Sequence, residues 1–198
     1  MTRHYLAMPL HRLDAELDYF RPTQELPERV TMDSPAVLVM TDLRQVTAHT
    51  VEPNVTIDGA LDGMKDKGVR LLLVTGPGGR VTGLITSTDI QGEKPMKLVK
   101  EVGGQRAELL VRDIMTPADQ LEAVTMAEVL KAHVGDVVAT LKRAGRRHAL
   151  VTDQGEHHAQ PAIRGIFSIS QIGKQLGVAI ETVEVATTFS EVEAALNS

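Results

Sequence analysis

The apolar residues follow the same helical spacing in two separate stretches of the chain, at positions i, i+3, i+4 and i+7. The first set is Ile57, Ala60, Leu61 and Met64, and the second set is Val134, Val137, Val138 and Leu141. This spacing places the apolar side chains of each set on one face of a short helix. The pattern therefore predicts an amphipathic helix in each stretch.

The same signals follow each predicted helix. A glycine comes first, Gly68 or Gly145, where a left-handed helix end favours this residue. A strand of the buried type comes next, RLLLV in the first stretch and RHALV in the second. The first strand leads into GPGG, which is typical of a tight hairpin turn, and the second leads into the longer DQGEHHAQPA. A strand that begins with glycine (GLI or GIF) and a helix start rich in Thr and Ser complete each stretch.

The two stretches are copies of one unit. Six residues are identical when 55–75 is laid on 132–152: Lys65, Gly68, Arg70, Leu73, Val74 and Thr75 meet Lys142, Gly145, Arg147, Leu150, Val151 and Thr152. Each copy is about half the size of a typical domain, so we expect the two to share a core. The sequence predicts an α/β (α+β) fold built from two tandem β-α-β-β-α repeats.

The repeats divide the chain into five segments. We predict an N-terminal extension at 1–36, a first repeat at 37–95, a linker at 96–110 and a second repeat at 111–177, with a C-terminal tail at 178–198. The linker reads as a helix broken at Gly103-Gly104. The tail reads as a strand over Ile180–Val185 followed by a helix from Ser190, where Ser190-x-x-Glu193 has the spacing of a capping box.

Composition narrows the classes of function. The net charge of −5 gives no bulk attraction to nucleic acid or anionic lipid, and two Tyr, three Phe and no Trp are few for stacking on bases. The chain has no cysteine and no N-terminal apolar run long enough for a signal peptide or a membrane span. We therefore expect a cytoplasmic protein that binds neither nucleic acid nor membrane.

The sequence offers no catalytic set and no metal site. His157 and His158 are adjacent in a predicted loop, where their side chains point apart, so we expect a solvated loop. His148 reads as a strand residue satisfied by packing, and the ITSTD segment has no His or Lys to activate a hydroxyl. We expect that the protein is not an enzyme.

The repeated ending carries a resemblance to a known family. GLITSTD and GIFSISQ both follow the pattern G-h-x-[T/S]-x-[T/S]-x, and DIMTP and VMTDL stand where the family's repeats begin. Over residues 37 to 176 the chain resembles a tandem pair of CBS domains, the Bateman module. The resemblance implies two repeats packed with pseudo-two-fold symmetry and a regulatory function. It implies as effector an adenosine-containing ligand (AMP, ADP, ATP or S-adenosylmethionine) in the cleft between the repeats, with no other cofactor required.

The resemblance also implies which residues bind. In the first repeat it assigns Gly83, Thr86, Thr88 and Asp89 to ribose and phosphate, and Thr50 and Val51 to a segment that contacts adenine. Gly165, Ser168 and Ser170 form the weaker second set, because Gln171 stands where the first repeat has Asp89. Arg70 and Arg147 can meet a phosphate with a planar guanidinium, although a salt bridge explains either of them equally well. Thr86 opens a helix, whose free N–H groups would favour a phosphate.

A second reading explains the motif without a ligand. Thr86-x-x-Asp89 and Ser168-x-x-Gln171 both have the spacing of a capping box, so helix capping accounts for both copies. The alternative function is then a dimerising interaction module with vestigial pockets. Under either reading we expect a homodimer and an unidentified protein partner, because short amphipathic helices around small sheets leave apolar surface to cover.

Overall fold

The structure is a computed structural model that describes residues 22–154 and 161–180. Three features of the sequence analysis fall wholly or partly outside the described residues: the predicted strand over Ile180–Val185, the predicted helix from Ser190 and the His157-His158 pair. Within the described part, the predicted α/β fold with two repeats is confirmed.

Within the described part of the first half of the chain there are four strands and three α-helices. A 3₁₀ helix at Ala36–Val39 precedes β1 (Met40–Asp42) and β2 (Thr50–Val51), and α1 (Ile57–Asp66) leads into β3 (Leu71–Thr75). A 3₁₀ turn at Pro77–Gly79 joins β3 to β4 (Val81–Thr86), which runs into α2 (Ser87–Gln91) and α3 (Lys94–Val102). The predicted linker helix corresponds to α3, which begins at Lys94 and ends at Gly103.

The second half repeats this order. A 3₁₀ helix at Arg106–Glu108 precedes α4 (Val111–Ile114) and β5 (Thr116–Pro117), and a 3₁₀ helix at Ala118–Gln120 leads to β6 (Ala123–Thr125) and α5 (Met126–Val129). The chain continues through α6 (Val134–Arg143), β7 (His148–Asp153), β8 (Ala162–Ser168) and α7 (Ile169–Leu176). The predicted helices α1 and α6 are confirmed. The glycines after them, Gly68 and Gly145, have φ of 64° and 59°, the left-handed conformation that their positions suggested.

The strands form two four-stranded sheets, and each sheet contains strands from both repeats. The first sheet has the order β2-β3-β4-β5 and the second β1-β8-β7-β6. Strand β5 begins the second repeat but pairs with β4 of the first, whereas β1 begins the first repeat but pairs with β8 of the second. Each repeat therefore gives its first strand to the sheet of the other repeat.

Two repeat-equivalent glycines make this exchange possible. Gly83 on β4 is opposite Pro117 of β5, and a Cβ there would lie 2.7 Å from the carbonyl oxygen of Thr116. Gly165 on β8 is opposite Asp42 of β1, and a Cβ there would lie 2.6 Å from the sulfur of Met40. Both contacts are too close for any side chain. These glycines are therefore required by the incoming strand of the other repeat.

The buried residues form three apolar clusters. One lies between the first sheet and its helices, and one lies between the second sheet and its helices. Strand β3 is buried on both faces: Leu72 and Val74 point into the first cluster, while Leu71 and Leu73 point into a third. This third cluster also contains Leu84 and Leu150, so it joins the two sheets face to face. The repeats share a core, as the size of the unit predicted.

Replacing Gly83 with alanine tests the role of the exchanged strand. We expect Gly83→Ala to lower the free energy of unfolding by about 1–3 kcal/mol, because the new methyl group meets the backbone of β5. The matched control is Gly63→Ala in α1, whose Cβ would come no closer than 3.8 Å to Lys67 Nζ. This control should raise the stability by up to about 1 kcal/mol through helix propensity. Urea unfolding measures both, and a Gly83→Ala protein as stable as wild type would contradict the packing argument.

Candidate functional site

A cleft of about 240 Å³ lies between the two repeats. Four of the residues predicted to bind line it: Thr86, Thr88 and Asp89 from the first repeat, and Arg147 from the second. The remaining wall includes Gln120–Glu122, Arg146 and His148, all from the second half of the chain. We call this the first cleft. The helix start that lines this cleft belongs to the first repeat, and the other polar groups of its wall belong to the second half of the chain.

A second cleft of about 540 Å³ occupies the equivalent place with the repeats exchanged. Ser168 and Ser170 come from the second repeat, and Arg70 comes from the first. Thr47–His49, Gln171 and Lys174 also line this cleft. Arg70 and Arg147 were predicted together, but the structure separates them, one in each cleft.

Thr50 and Val51 are not among the residues that line the two clefts. Thr50 pairs with Leu73 in the same register in which Ala123 pairs with Leu150. Gln120–Glu122, just before Ala123, line the first cleft, and the equivalent Thr47–His49 line the second. The residues of this segment that line a cleft are thus Thr47–His49, a few positions before Thr50. They line the cleft of the Ser168 motif and not that of the Asp89 motif. The sequence alignment of the repeats places Gln120–Glu122 opposite Leu43–Gln45, so it gives no signal for these residues.

Gly83 and Gly165 do not line the clefts either. Both are buried beneath the exchanged strands, where a Cβ would clash. We had expected Gly83 to allow a ligand to approach. In the structure the group that approaches is the backbone of β5 at Gly83 and the Met40 side chain of β1 at Gly165.

Asp89 makes the capping box that the sequence predicted. Its Oδ2 accepts hydrogen bonds from the backbone N of Thr86 at 2.9 Å and from Thr86 Oγ1 at 2.6 Å, and its own N donates to Thr86 Oγ1 at 3.2 Å. Its Oδ1 forms an ion pair with Lys94 Nζ. The Asp89 side chain is 13% exposed and that of Lys94 is 53% exposed. Of the two carboxylate oxygens, only Oδ1 has a partner that can move into solvent.

The two helix starts differ more than their spacing suggested. Ser168 makes no capping hydrogen bond, so the expectation that capping explains both copies is wrong for the second. The backbone at the two helix starts differs, with ψ of 121° at Ser168 and 161° at Thr86. Helix α2 has only five residues, and its capping box already satisfies the N–H of Asp89. The first helix start is therefore a poor site for a phosphate.

Two ion pairs form at the first cleft and leave one arginine without a carboxylate partner among the described residues. Arg146 forms an ion pair with Glu122 at 2.8 Å, and Asp89 pairs with Lys94. Arg147 is half-buried and has no ion-pair partner among the described residues. Arg147 is thus the cation that remains available to an anionic group in this cleft.

His148 lies between the two clefts and lines both. Burial, together with the positive charges of Arg70 and Arg147, lowers the pKa of His148 from 6.5 to about 4. The imidazole is therefore neutral at pH 7. The sequence predicted a strand residue whose role is packing. In the structure, His148 also forms part of the walls of both clefts.

The described residues, 22–154 and 161–180, contain no group of three or more His, Asp or Glu side chains arranged to hold a metal ion. None of the helices in these ranges is long and apolar enough to cross a membrane.

Comparison with known proteins agrees with the fold. Residues 34–93 match the family model of the CBS domain. A structure described as an uncharacterized conserved protein from Pyrococcus horikoshii is similar with a TM-score of 0.52 and 23% identity, over 78% of this chain and 100% of that one. No curated protein matches the chain in sequence.

Two further structures are similar at lower scores. A putative signal-transduction protein with CBS domains from Burkholderia ambifaria MC40-6 gives a TM-score of 0.48 and 25% identity, over 66% of this chain and 82% of that one. CBSX2, a CBS-pair protein from Arabidopsis thaliana, gives 0.47 and 20% identity, over 84% of this chain and 96% of that one. CBSX2 has also been solved in complex with AMP.

The lowered pKa of His148 predicts a loss of stability in acid. The unfolded chain binds a proton at this histidine below pH 6.5, whereas the folded chain does so only near pH 4, so the contribution of His148 falls as the pH drops between these values. At pH 5 the loss is about 2 kcal/mol. We expect His148→Gln to remove this share of the pH dependence in urea unfolding at pH 5 to 8. The two proteins should run in parallel above pH 7, and an equally steep acid decline in the variant would contradict the assignment.

Proposed function

Because the chain carries a CBS domain and has the fold of a tandem CBS pair, we propose that it is a regulatory module that binds an adenosine-containing ligand in the first cleft. The effector is AMP, ADP, ATP or S-adenosylmethionine. The module signals to a separate protein partner and has no catalytic role of its own. Its location in the cytoplasm, expected from the cysteine-free sequence, stays a prediction.

The observation that carries this proposal is the composite wall of the first cleft. Thr86, Thr88 and Asp89 belong to the first repeat, while Arg147 and Gln120–Glu122 belong to the second half of the chain. A ligand held by both walls changes the free-energy difference between arrangements of the two repeats. Its effect is limited to its difference in affinity between those arrangements.

In this proposal, Asp89 binds the sugar, Arg147 binds a phosphate, and neighbouring polar residues add further contacts. Asp89 Oδ2 remains in the capping box, so a ribose diol would bind at Oδ1 and displace the exposed Lys94 ammonium. Hydrogen bonds to a charged carboxylate are the stronger kind, which supports Asp89 as the group that recognises the sugar. Arg147 is suited to a phosphate because its guanidinium is planar and has no carboxylate partner among the described residues. The exposed Thr88 hydroxyl and the Gln120–Glu122 segment complete the contacts.

One observation favours the alternative, a dimerising interaction module whose pockets bind nothing. Both carboxylate oxygens of Asp89 already have partners within the protein, so helix capping is a sufficient reason for this residue. Exposed apolar side chains are available for docking, with Val102 70% and Leu130 67% exposed. The two functions differ in whether the charge of Asp89 matters for binding or only for stability.

A matched pair of capping-box variants separates these functions. Asp89→Asn and Glu128→Gln each neutralise the carboxylate of a Thr-x-x-acid capping box, and the Thr125–Glu128 box has the same three hydrogen bonds. Both variants should be less stable than the wild-type protein, because each weakens the hydrogen bonds of its capping box. Only Asp89→Asn should also weaken the binding of AMP, ADP, ATP or S-adenosylmethionine, by about tenfold or more, because a neutral amide accepts diol hydrogen bonds less strongly. Isothermal titration calorimetry measures the affinity, and thermal unfolding with each ligand checks it.

Three results are distinguishable in this comparison. Loss of binding in Asp89→Asn alone supports the sensing function and the assignment of Asp89. Equal binding by both variants contradicts the assignment of Asp89 but leaves a sensing role. No binding and no thermal shift in the wild-type protein, at millimolar concentrations of all four ligands, supports the interaction module.

The proposed homodimer has its own test. The chain has a mass of 21.5 kDa, and the exposed apolar side chains on α3 and after α5 form part of the surface that a second copy would cover. Size-exclusion chromatography with light scattering at micromolar concentration should give twice the mass of the chain. A mass of 21.5 kDa would show a monomer and overturn this part of the proposal.

A further inference from the structure

A further groove, separate from the two clefts, lies against α7. It measures about 430 Å³ and is formed by one face of this helix and by the chain that follows it. The residues that line it are Arg147, Ile169, Ser170, Gly173, Lys174 and 177–180. We call this the α7 groove. Each of its two cations also lines a cleft, since Arg147 lines the first cleft and Lys174 the second.

The chain turns back along α7 where the helix ends. Gly177 has φ of 71°, a left-handed conformation, and Val178 N donates to Gly173 O at 3.0 Å. A Cβ placed on Gly173 would lie 2.8 Å from the carbonyl oxygen of Val178 and 3.8 Å from Ile180 Cγ1. The missing side chain of Gly173 therefore allows the returning chain to lie directly against the helix. By Ile180 the chain has moved back by about one helical turn, toward the start of α7.

The residues that follow Ile180 are long enough to reach the start of α7. From Gly173 to Ile169 the helix rises about 6 Å, a distance that about two extended residues cover. Arg147 lies at that end of the helix, where its carbonyl oxygen accepts a hydrogen bond from Ile169 N at 3.0 Å. A segment that continues in the same direction over 181–184 therefore brings its side chains to Arg147.

The charges of this segment and of the α7 groove are complementary. Residues 181–198 contain four Glu and no Asp, Lys, Arg or His, and the first two of these acids are Glu181 and Glu184. Within 22–154 and 161–180, neither Arg147 nor Lys174 has an ion-pair partner. The acidic segment thus begins directly beside two cations that no carboxylate of the described residues neutralises.

We propose that residues 181–185 lie along α7 as an acidic arm, with Glu181 beside Lys174 and Glu184 paired with Arg147. The arm is then a regulatory element of the same chain, because it neutralises the cation that the first cleft offers to a phosphate. An anionic ligand must displace Glu184 before Arg147 can bind it. This competition rests on the proposed function, whereas the position of the arm does not.

A pair of engineered cysteines tests the position of the arm. The chain has no cysteine, so Ser170→Cys with Thr182→Cys supplies its only two thiols. Oxidation of this full-length variant should link the two thiols within one chain, at least about tenfold faster than in the control pair Lys142→Cys with Thr182→Cys, because the arm holds its thiols close together. Lys142 is an exposed residue of α6 that does not line the groove. Non-reducing gel electrophoresis and peptide mass spectrometry measure the rate and the link.

Unfolding in urea without nucleotide tests the pairing of charges. Glu184→Gln should destabilise the wild-type chain but not an Arg147→Gln chain, because in that background the carboxylate has already lost its partner. Glu191→Gln is the matched control, since it removes a carboxylate from the same tail outside the arm. Calorimetry should show that AMP binds Glu184→Gln about two- to fivefold more tightly than wild type, the range for an exposed ion pair. Glu191→Gln should bind AMP as the wild-type chain does.

The outcomes separate the arm from the proposed function. The arm is overturned by a disulfide that forms no faster than in the control pair, by disulfide-linked dimers in place of a link within one chain, or by equal effects of Glu184→Gln in both backgrounds. Equal AMP affinity of wild type and Glu184→Gln overturns the competition for Arg147. If AMP binds neither protein, the proposed function and the competition both fail, while the disulfide and the unfolding measurements still decide whether the arm lies in the α7 groove.

Discussion

The exchange of first strands between the two repeats is the constraint on which the rest of the structure depends. The same backbone hydrogen bonds hold it in both halves. In the first half of the fold, Val111 N donates to Val55 O at 2.8 Å; in the second, Ala36 N donates to Ala132 O at 2.9 Å. The segments before β1 and β5 are buried with the exchanged strands, since Val39 and Val111 are both fully buried. Neither repeat can therefore complete its sheet or its core without the other.

The clefts follow from this exchange. Because β1 and β5 tie the repeats together at their edges, the two sheets pack face to face through Leu71, Leu73, Leu84 and Leu150. Each motif then faces the opposite repeat, and each cleft becomes composite. A ligand in either cleft contacts elements that are already linked through one shared core. In the proposed function, this linkage is the route by which a bound ligand would act on the surface that a partner recognises.

The sequence predicted what depends on local order and missed what depends on the pairing of distant strands. The spacing of Ile57 and Val134 with their neighbours specified α1 and α6, and Gly68 and Gly145 marked their ends, because these features need only residues within a turn or two. The composite walls of the clefts, in which each motif faces residues of the other repeat, could not be predicted in this way. The resemblance placed Thr50 and Val51 with Asp89, but in the structure Gln120–Glu122 line the cleft beside that motif.

Gly83 and Gly165 show the same limit. Their positions were conspicuous in the repeated motif, and the resemblance assigned Gly83 to a ligand. The approaching group was assigned to a ligand because the sequence does not show that β5 pairs with β4. Ser168 is a smaller case of the same kind, in which spacing predicts a cap that the side chain does not make.

The lengths of the two motif helices explain why the clefts differ in charge. Aligning Gly83 with Gly165 places Gly92 opposite Lys174. Gly92 ends α2 after five residues, whereas α7 continues through Lys174 to Leu176. The longer helix carries its lysine side chain into the second cleft, while in the first repeat the chain turns at Gly92 and Lys94 instead pairs with Asp89. The loss of the carboxylate at Gln171 and the gain of a cation at Lys174 therefore act in the same direction. Together they give the second cleft two cations and no carboxylate in its described wall, whereas the first cleft holds two carboxylates beside its cations.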